Sequence, residues 1–229
     1  MLKIKTILNS WEKLLFPDLC VSCKTALVNH ENHLCLTCEL ELSQVPERIN
    51  LSHKFVGKSL IEFTASMYAY KPKSVAANLI EDLKYNGNQT VGVFLGEKLG
   101  EFLNSLKLPN DIDFIVPVPL QKSKLYKRGF NQSLLIANGL SSKIDLPLNS
   151  NAIKRIKQSI SQTKKGRLAR WLNVSEVFVA NKLEVENKHI LLIDDVLTTG
   201  ATIDACATVA LEAGARKVSI VTVCAAVLG

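Results

Sequence analysis

The chain of 229 residues lacks any apolar run long enough to cross a membrane, so the sequence predicts no membrane span. Its first residues include lysine, asparagine and glutamate where a secretory signal peptide would be apolar, which predicts a cytoplasmic protein. Repeats and low-complexity tracts are also absent, and the content of 47% apolar and 21% charged residues argues against disorder. This length and composition suit a full α/β core with one small appendage.

Two common nucleotide-binding signatures are missing as well. There is no Gly-x-Gly-x-x-Gly, which excludes the usual dinucleotide-binding fingerprint. No Gly-Lys-Ser or Gly-Lys-Thr follows the Thr-Thr-Gly turn at residues 198–200, which excludes a Walker loop there.

Residues 189–202, which read HILLIDDVLTTGAT, instead indicate a ribose-phosphate site. Residues 190–193 form a short apolar run typical of a strand buried on both faces of a parallel sheet, although an ordinary strand with an acidic turn is the alternative. Asp194 and Asp195 follow at the strand end, where their carboxylates can accept hydrogen bonds from vicinal hydroxyls or hold a divalent cation. The next N–H groups and hydroxyls can surround a phosphate, at the positive end of a helix. We call this segment the phosphate loop; it consists of Thr198, Thr199, Gly200, Ala201 and Thr202.

Four of the six cysteines form two Cys-x-x-Cys pairs within nineteen residues. Tetrahedral zinc takes four soft ligands, and each pair can direct two thiolates at one ion. Disulfides are disfavoured in the cytoplasm, and a redox pair would not need a second copy. His30 and His33 lie between the pairs and could replace a cysteine, but a solvated loop is the preferred interpretation for both. The predicted zinc ligands are Cys20, Cys23, Cys35 and Cys38.

The net charge of +7 arises from one stretch of the chain. Residues 114–175 contain twelve Lys and Arg residues against one acidic residue, Asp145. Such a stretch can bind pyrophosphate or a nucleic-acid backbone, or it can simply face solvent. Phe130 and Trp171 offer faces on which a base could stack, unless both belong to the core. The candidate contacts to pyrophosphate or DNA are Lys122, Lys124, Lys127, Arg128, Lys164, Lys165, Arg167 and Arg170.

Residues 189–202 resemble the phosphoribosyl pyrophosphate (PRPP) motif of type I phosphoribosyltransferases. Four further motifs are Leu14-Leu15-Phe16-Pro17, Leu83-Lys84-Tyr85-x-Gly87, Pro117-Val118-Pro119-Leu120 and Arg128-Gly129-Phe130-Asn131-Gln132-Ser133. With these motifs, nearly the whole chain resembles the competence protein F (ComF) family. The segment from Ser159 to Phe178 also fits a pattern of that family, with serine where threonine is usual.

The resemblance implies an α/β phosphoribosyltransferase fold, with a parallel sheet, helices on both faces and a small N-terminal zinc-ribbon module. It also implies that Asp194 and Asp195 bind the ribose 2′ and 3′ hydroxyls, that the phosphate loop holds the 5′-phosphate, and that Mg²⁺ accompanies PRPP. Thr198 stands where hypoxanthine-type enzymes have a base aspartate, and its hydroxyl does not accept a proton usefully, which disfavours purine salvage.

Three functions follow from the resemblance. The first is a cytoplasmic competence factor that brings single-stranded DNA across the inner membrane, with a DNA translocase as partner and peripheral membrane contact as a further option. The second is a metabolic phosphoribosyltransferase acting on an unidentified small nucleophile. The third is a PRPP-sensing module without turnover. Whether the chain is an enzyme stays open, because no acceptor or general base is identifiable.

The expected organisation is a lead helix and zinc module at 1–45, a linker at 46–58 and a phosphoribosyltransferase-like domain at 59–229. Within the domain, periodicity and turn residues predict alternating strands and helices, which favours a parallel sheet. The predicted strands are 63–70, 113–118, 189–193 and 218–223, and the predicted helices are 2–16, 74–84, 91–106, 130–142 and 203–213.

Overall fold

The computed structural model describes residues 16–28, 30–42, 51, 61–157 and 176–226. The helices are α1 (Leu36–Glu41), α2 (Val75–Tyr85), α3 (Gln89–Ser105), α4 (Lys122–Arg128), α5 (Gln132–Ile144), α6 (Lys182–Val185) and α7 (Ala201–Glu212). The strands are β1 (Phe63–Tyr70), β2 (Phe114–Pro117), β3 (Ile153–Lys157), β4 (Glu176–Ala180), β5 (His189–Leu197) and β6 (Lys217–Ala226).

The main sheet has the strand order β1-β6-β5-β2, and all neighbouring strands are parallel. This arrangement confirms the predicted parallel sheet. Strands β3 and β4 form a separate antiparallel pair, in which Ile153 lies opposite Ala180. The sheet places the carboxyl ends of its strands along one edge, where ligands bind in folds of this kind.

Both faces of the sheet are covered, as the sequence predicted. Leu191 and Ile193 of β5 point into a core cluster that contains residues of α2, α3 and α5. Ile190 and Leu192 point the other way, into a cluster with α7. Because neighbouring strand residues face opposite sides, the continuous apolar run in β5 reflects burial on both faces.

Helices α3 and α5 pack so closely that two glycines are needed at their contact. A Cβ atom at Gly96 would collide with the backbone carbonyl of Ile136, and one at Gly139 would collide with the carbonyl of Val93. This close contact fixes α5 beside the sheet. The first turn of α5 carries two residues of the site described below.

At the opposite edge of the sheet, a hydrogen-bond chain through the buried His189 fixes the start of β5. The two ring nitrogens of His189 lie 2.8 Å from Asp111 Oδ1 and 2.8 Å from Ser219 Oγ. Hydrogen bonds from His189 and Arg216 hold the pKa of Asp111 well below its usual range. The order of groups resembles a hydrolytic triad, but His189 and Ser219 have no exposed surface, so the chain is structural.

Several predicted elements agree with the structure and others were missed. The strand at 63–70 is confirmed as β1, and the predicted domain helices occur with ends shifted by about two residues. The prediction missed α1, α4, α6 and the β3–β4 pair. The lead helix at 2–16 lies outside the described residues except for Phe16. Of the predicted linker, only Leu51 is described, and it is buried in the cluster with α7. Among the described helices, we find none with the length and apolar character needed to span a membrane.

Candidate ligand site at the carboxyl edge

A crevice opens where β2 ends and β5 continues. Pro117 is the last residue of β2 and pairs with Ile193, whereas β5 stays paired with β6 as far as Leu197. Asp194 and Asp195 therefore lie inside β5, and the prediction that its strand ends at residue 193 was wrong. Both aspartates nevertheless follow Ile193, the last residue of β5 that pairs with β2. The prolines at 117 and 119 lack the N–H groups that would extend β2, so both carboxylates lack a strand neighbour on that side.

The Asp194 carboxylate is held by two donors. Its Oδ1 atom accepts hydrogen bonds from Ser133 Oγ at 2.9 Å and from the backbone N–H of Asp195 at 2.9 Å. Burial of the carboxyl, together with the charge of Asp195, raises the pKa of Asp194 to about 7. Asp194 is thus near its titration midpoint at neutral pH, which is unusual for an aspartate and typical of a ligand site.

Asp195 is paired with a lysine from a distant part of the chain. Its Oδ2 atom lies 2.9 Å from Lys84 Nζ, and the residue is 9% exposed. Lys84 stands near the end of α2, and the turn after the helix is fixed by the buried Asp82, which accepts hydrogen bonds from the side chains of Asn86 and Asn88. The α2 terminus therefore places a cation directly on the acid pair.

The phosphate loop surrounds a small cavity of about 50 Å³. Gly200 has a φ of +77° and precedes α7, which begins at residue 201 instead of the predicted 203. Ala201 and Thr202 consequently belong to the first turn of α7, where the N–H groups have no partner inside the helix. The predicted loop residues all line this cavity, together with Asp194 and the buried Thr222. A tetrahedral anion suits this combination of helix terminus and hydroxyls.

A second cavity of about 160 Å³ adjoins the first, and Asp194 and Thr202 border both. Cations from three separate elements reach it: Lys84 from α2, Lys124 and Arg128 from α4, and Arg155 from β3. The guanidinium of Arg155 is also placed over the ring of Phe178, 5.0 Å from its centroid. A crevice with carboxylates on one side and four cations around it suits a ligand that has both hydroxyls and phosphates.

The structure separates the predicted basic residues into groups. Lys124 and Arg128 line the larger cavity, whereas Lys122 and Lys127 do not. Phe130 is partly buried and packs against the core cluster. The remaining predicted contacts, Lys164, Lys165, Arg167 and Arg170, lie outside the described residues, as does Trp171.

Four residues of the site were missed as functional residues, namely Lys84, Gln132, Ser133 and Arg155. Lys84, Gln132 and Ser133 stand inside motifs that carry the family resemblance, which was the available signal. Gln132 is 1% exposed, and its Nε2 atom has no hydrogen-bond partner among the described residues although the side chain lines the larger cavity. A buried donor in this position is ready to receive a ligand oxygen.

The predicted cysteine cluster is formed. The four Sγ atoms of Cys20, Cys23, Cys35 and Cys38 lie within 4.8 Å of one another, and those of Cys23 and Cys35 are 3.6 Å apart. Four sulfurs at 2.3 Å from a zinc ion would be about 3.8 Å from each other, so the donor set fits tetrahedral zinc. All four thiols are free, and His33 packs on Phe94 with ring centroids 5.0 Å apart.

The cysteine region shares its core with the rest of the molecule. Cys20, Leu34 and Cys38 are buried in the same cluster as the apolar residues of α2 and α3. Asn78 of α2 donates a hydrogen bond to Ser22 Oγ at 2.9 Å, and Lys98 of α3 pairs with Glu39 at 2.8 Å. The cysteine cluster therefore packs against the helix that carries Lys84.

A parallel sheet with an acid pair, a phosphate loop and cations at its carboxyl edge defines a type I phosphoribosyltransferase-like protein. Residues 131–227 match the family model of the phosphoribosyl transferase domain. Competence protein ComFC of Bacillus subtilis is 30% identical over 207 residues, which cover 88% of this chain and 82% of that protein. Competence protein F of Haemophilus influenzae is 24% identical over 221 residues, covering 88% and 94%. The chain belongs to the competence protein F (ComF) family.

Among solved structures, the allosteric regulatory enzyme of purine biosynthesis is similar over 58% of this chain and 26% of its own, with 21% identity and a TM-score of 0.38.

Proposed function

We propose that this protein binds PRPP at the carboxyl edge of its sheet and promotes the uptake of single-stranded DNA in natural transformation. One observation carries the PRPP half of the proposal: Asp194 borders both the phosphate-loop cavity and the larger cationic cavity. PRPP carries a 5′-phosphate, a vicinal diol and a pyrophosphate. The phosphate-loop cavity, the acid pair and the larger cationic cavity match these three groups in that order.

In this proposal each group of PRPP meets a separate set of residues. The phosphate loop receives the 5′-phosphate through N–H groups and hydroxyls. Asp194 and Asp195 accept hydrogen bonds from the ribose diol. Lys84, Lys124, Arg128 and Arg155 neutralise the pyrophosphate.

A magnesium ion fits the same donor set. The carboxylate oxygens of Asp194 and Asp195 are hard ligands, and phosphate oxygens of PRPP would complete the coordination. When bound, the ion would spread the negative charge that develops on a departing pyrophosphate. The Asp195 carboxylate would then contact both Lys84 and the magnesium ion.

The DNA half of the proposal rests on family membership, because the relatives over most of this chain carry the name of competence proteins. A test in the host replaces the gene with an Asp194→Asn, Asp195→Asn version at equal protein level and measures transformation frequency. A fall of at least tenfold is the expected result. Exposed Glu212 provides the matched control, since Glu212→Gln makes the same chemical change far from the crevice. An unchanged frequency in the double variant would contradict the link between the pocket and DNA uptake.

A metabolic phosphoribosyltransferase is the second candidate, favoured by the four cations around the cavity, which would stabilise a pyrophosphate leaving group. Incubation of the purified protein with PRPP, Mg²⁺ and a small-molecule extract separates the two. Pyrophosphate release that requires a metabolite in the extract would favour the enzyme. Saturable PRPP binding without release is expected from the competence role and from a PRPP-sensing module alike, and only the transformation assay distinguishes those.

A further inference from the structure

Helix α4 is a short, strongly basic helix with none of its residues buried. Four of its seven residues are Lys or Arg, and there is no acidic residue between positions 114 and 144. Within the described ranges, no salt bridge joins any of these four cations to a carboxylate. The positive charge of the helix is therefore available to an external anion.

The side chains of α4 divide between two faces. Lys124 and Arg128 are four residues apart, so they share one face, and both line the larger cavity. Lys122 and Tyr126 are also four residues apart and share a second face. Each precedes its counterpart in the Lys124–Arg128 pair by two residues, so the second face is rotated by about 200° around the helix axis. Neither lines the cavity. Lys127 is exposed on the flank between the two faces.

The outer face carries an aromatic ring beside Lys122, and Lys127 lies on the neighbouring flank. Tyr126 is 94% exposed, and Leu125 beside it is 41% exposed. An exposed ring between lysines suits a partner that has both phosphates and flat apolar surfaces. Unpaired bases of a single strand stack on such rings while the phosphates contact the cations. Duplex DNA buries the faces of its bases, so only its phosphates would interact with this surface, through the cations.

We propose that Lys122 and Tyr126, together with Lys127 on the flank of the helix, form a contact surface for single-stranded nucleic acid on the side of α4 that faces away from the PRPP pocket. The inference rests on the proposed function, because it takes Lys124 and Arg128 as contacts of PRPP. One helix then serves two ligands through different faces. Both ligands bind at the same time, and substitutions on one face leave the other ligand unaffected.

The test measures two affinities for each variant of the full chain. Fluorescence anisotropy with a labelled oligo-dT of twenty nucleotides reports on the outer face, and calorimetry with PRPP and Mg²⁺ reports on the pocket. Tyr126→Ala should weaken oligo-dT binding about five- to a hundredfold, and Tyr126→Phe, which keeps the ring, should retain it. Lys124→Gln with Arg128→Gln should weaken PRPP binding at least tenfold and leave oligo-dT binding within about twofold of wild type. Because α4 buries no side chain, these variants are expected to fold.

The outcomes separate the inference from the function on which it rests. A Tyr126→Ala variant that binds oligo-dT as wild type does, or equal affinity for single-stranded and duplex DNA, overturns the inference while PRPP binding still supports the pocket. Binding of phosphatidylglycerol vesicles but not of oligo-dT overturns it in favour of a membrane surface. Loss of both ligands in either variant overturns the division into faces. Tyr126-dependent oligo-dT binding without any PRPP binding supports the outer surface and contradicts the proposed PRPP site.

Discussion

At the scale of single residues, the site combines groups that are unfavourable in the unligated protein. Gln132 has a buried side-chain donor without a partner among the described residues, and burying such a group costs about 1–3 kcal/mol. Asp194 is enclosed next to a second carboxylate, which raises its pKa to about 7. Both features indicate positions that are selected for a ligand and not for stability.

Replacement of Gln132 should therefore have opposite effects on stability and binding. Gln132→Met removes the unpartnered donor and is expected to raise the free energy of unfolding by about 1 kcal/mol without ligand. The same change should weaken PRPP binding at least tenfold, because a ligand oxygen loses its donor. Chemical denaturation and calorimetry measure the two effects. Gln89→Met, at an exposed position of α3, controls for the change in side-chain type. Lower stability together with unchanged PRPP affinity would show that Gln132 is a packing residue.

The raised pKa of Asp194 predicts a dependence on pH. A carboxyl that titrates near 3.8 in the unfolded chain and near 7 when folded keeps its proton longer in the folded state. Its contribution to stability is present in full below about pH 4 and is lost as the pH rises to about 7. Affinity for PRPP should change in the opposite sense and rise between pH 6 and 8, since the ionised carboxylate is the better acceptor for hydroxyls.

The control for this prediction is Asp194→Asn. That variant should lack both the fall in stability between pH 4 and 7 and the rise in residual affinity between pH 6 and 8. Calorimetry at several pH values, corrected for the titration of PRPP itself, measures the affinity. A variant that keeps the full pH dependence of the wild type would exclude Asp194 as its source.

At the scale of secondary-structure elements, α7 connects the phosphate loop to the opposite edge of the sheet. Each end of the helix has a glycine with positive φ: Gly200 at +77° before it and Gly214 at +99° after it. Alanine in this conformation costs about 1–2 kcal/mol. Both Gly200→Ala and Gly214→Ala should therefore lower the free energy of unfolding by a similar amount.

Only the Gly200 change should affect ligand binding, because the glycine lies in the phosphate loop and Gly214 is close to Glu186 at the other end. We expect Gly200→Ala to weaken PRPP binding at least tenfold and Gly214→Ala to leave it unchanged. Thermal unfolding and calorimetry on the same samples make the comparison. Equal loss of affinity in the two variants would mean that strain in α7 is responsible and that the loop itself does not bind phosphate.

The elements also show what the sequence could and could not predict. The acid pair and phosphate loop were predictable because fourteen consecutive residues contain the strand, turn and helix start that form them. Lys84 could not be assigned from local pattern, since it meets Asp195 only through the pairing order of the sheet. Helix α4 has no buried residue and hence no apolar periodicity to detect. Strands β3 and β4 are only five residues long and neither alternates regularly between charged and apolar residues, so they give a weak signal, yet β3 delivers Arg155 to the site.

At the scale of the whole molecule, the cysteine cluster and the ligand site share one structural frame. Buried cysteines contact the core formed by α2 and α3, and Lys84 lies in the last turn of α2. Metal binding should therefore stabilise the entire chain. We expect chelation of zinc, or Cys20→Ser, to lower the melting temperature of the whole protein by more than the 2–4 °C that corresponds to about 1 kcal/mol in a chain of this size.

The metal content and the unfolding curve test this coupling together. Wild type should contain about one zinc ion per chain, and Cys206→Ala, which removes a buried thiol far from the cluster, should keep it. Calorimetric scans should show one transition that shifts on chelation. Two separate transitions, with only the smaller one sensitive to chelator, would mean that the metal stabilises a local unit and does not support α2.

The central claim is that Asp194 and Asp195 form the sugar-binding part of a PRPP site. Its most direct test is isothermal titration of PRPP with Mg²⁺ into wild type, the Asp194→Asn, Asp195→Asn variant and the Glu212→Gln control. We predict saturable binding at one site in wild type and control, and at least a tenfold loss of affinity in the double variant, equivalent to about 1.4 kcal/mol or more. A folded double variant that binds PRPP as tightly as wild type would contradict the claim.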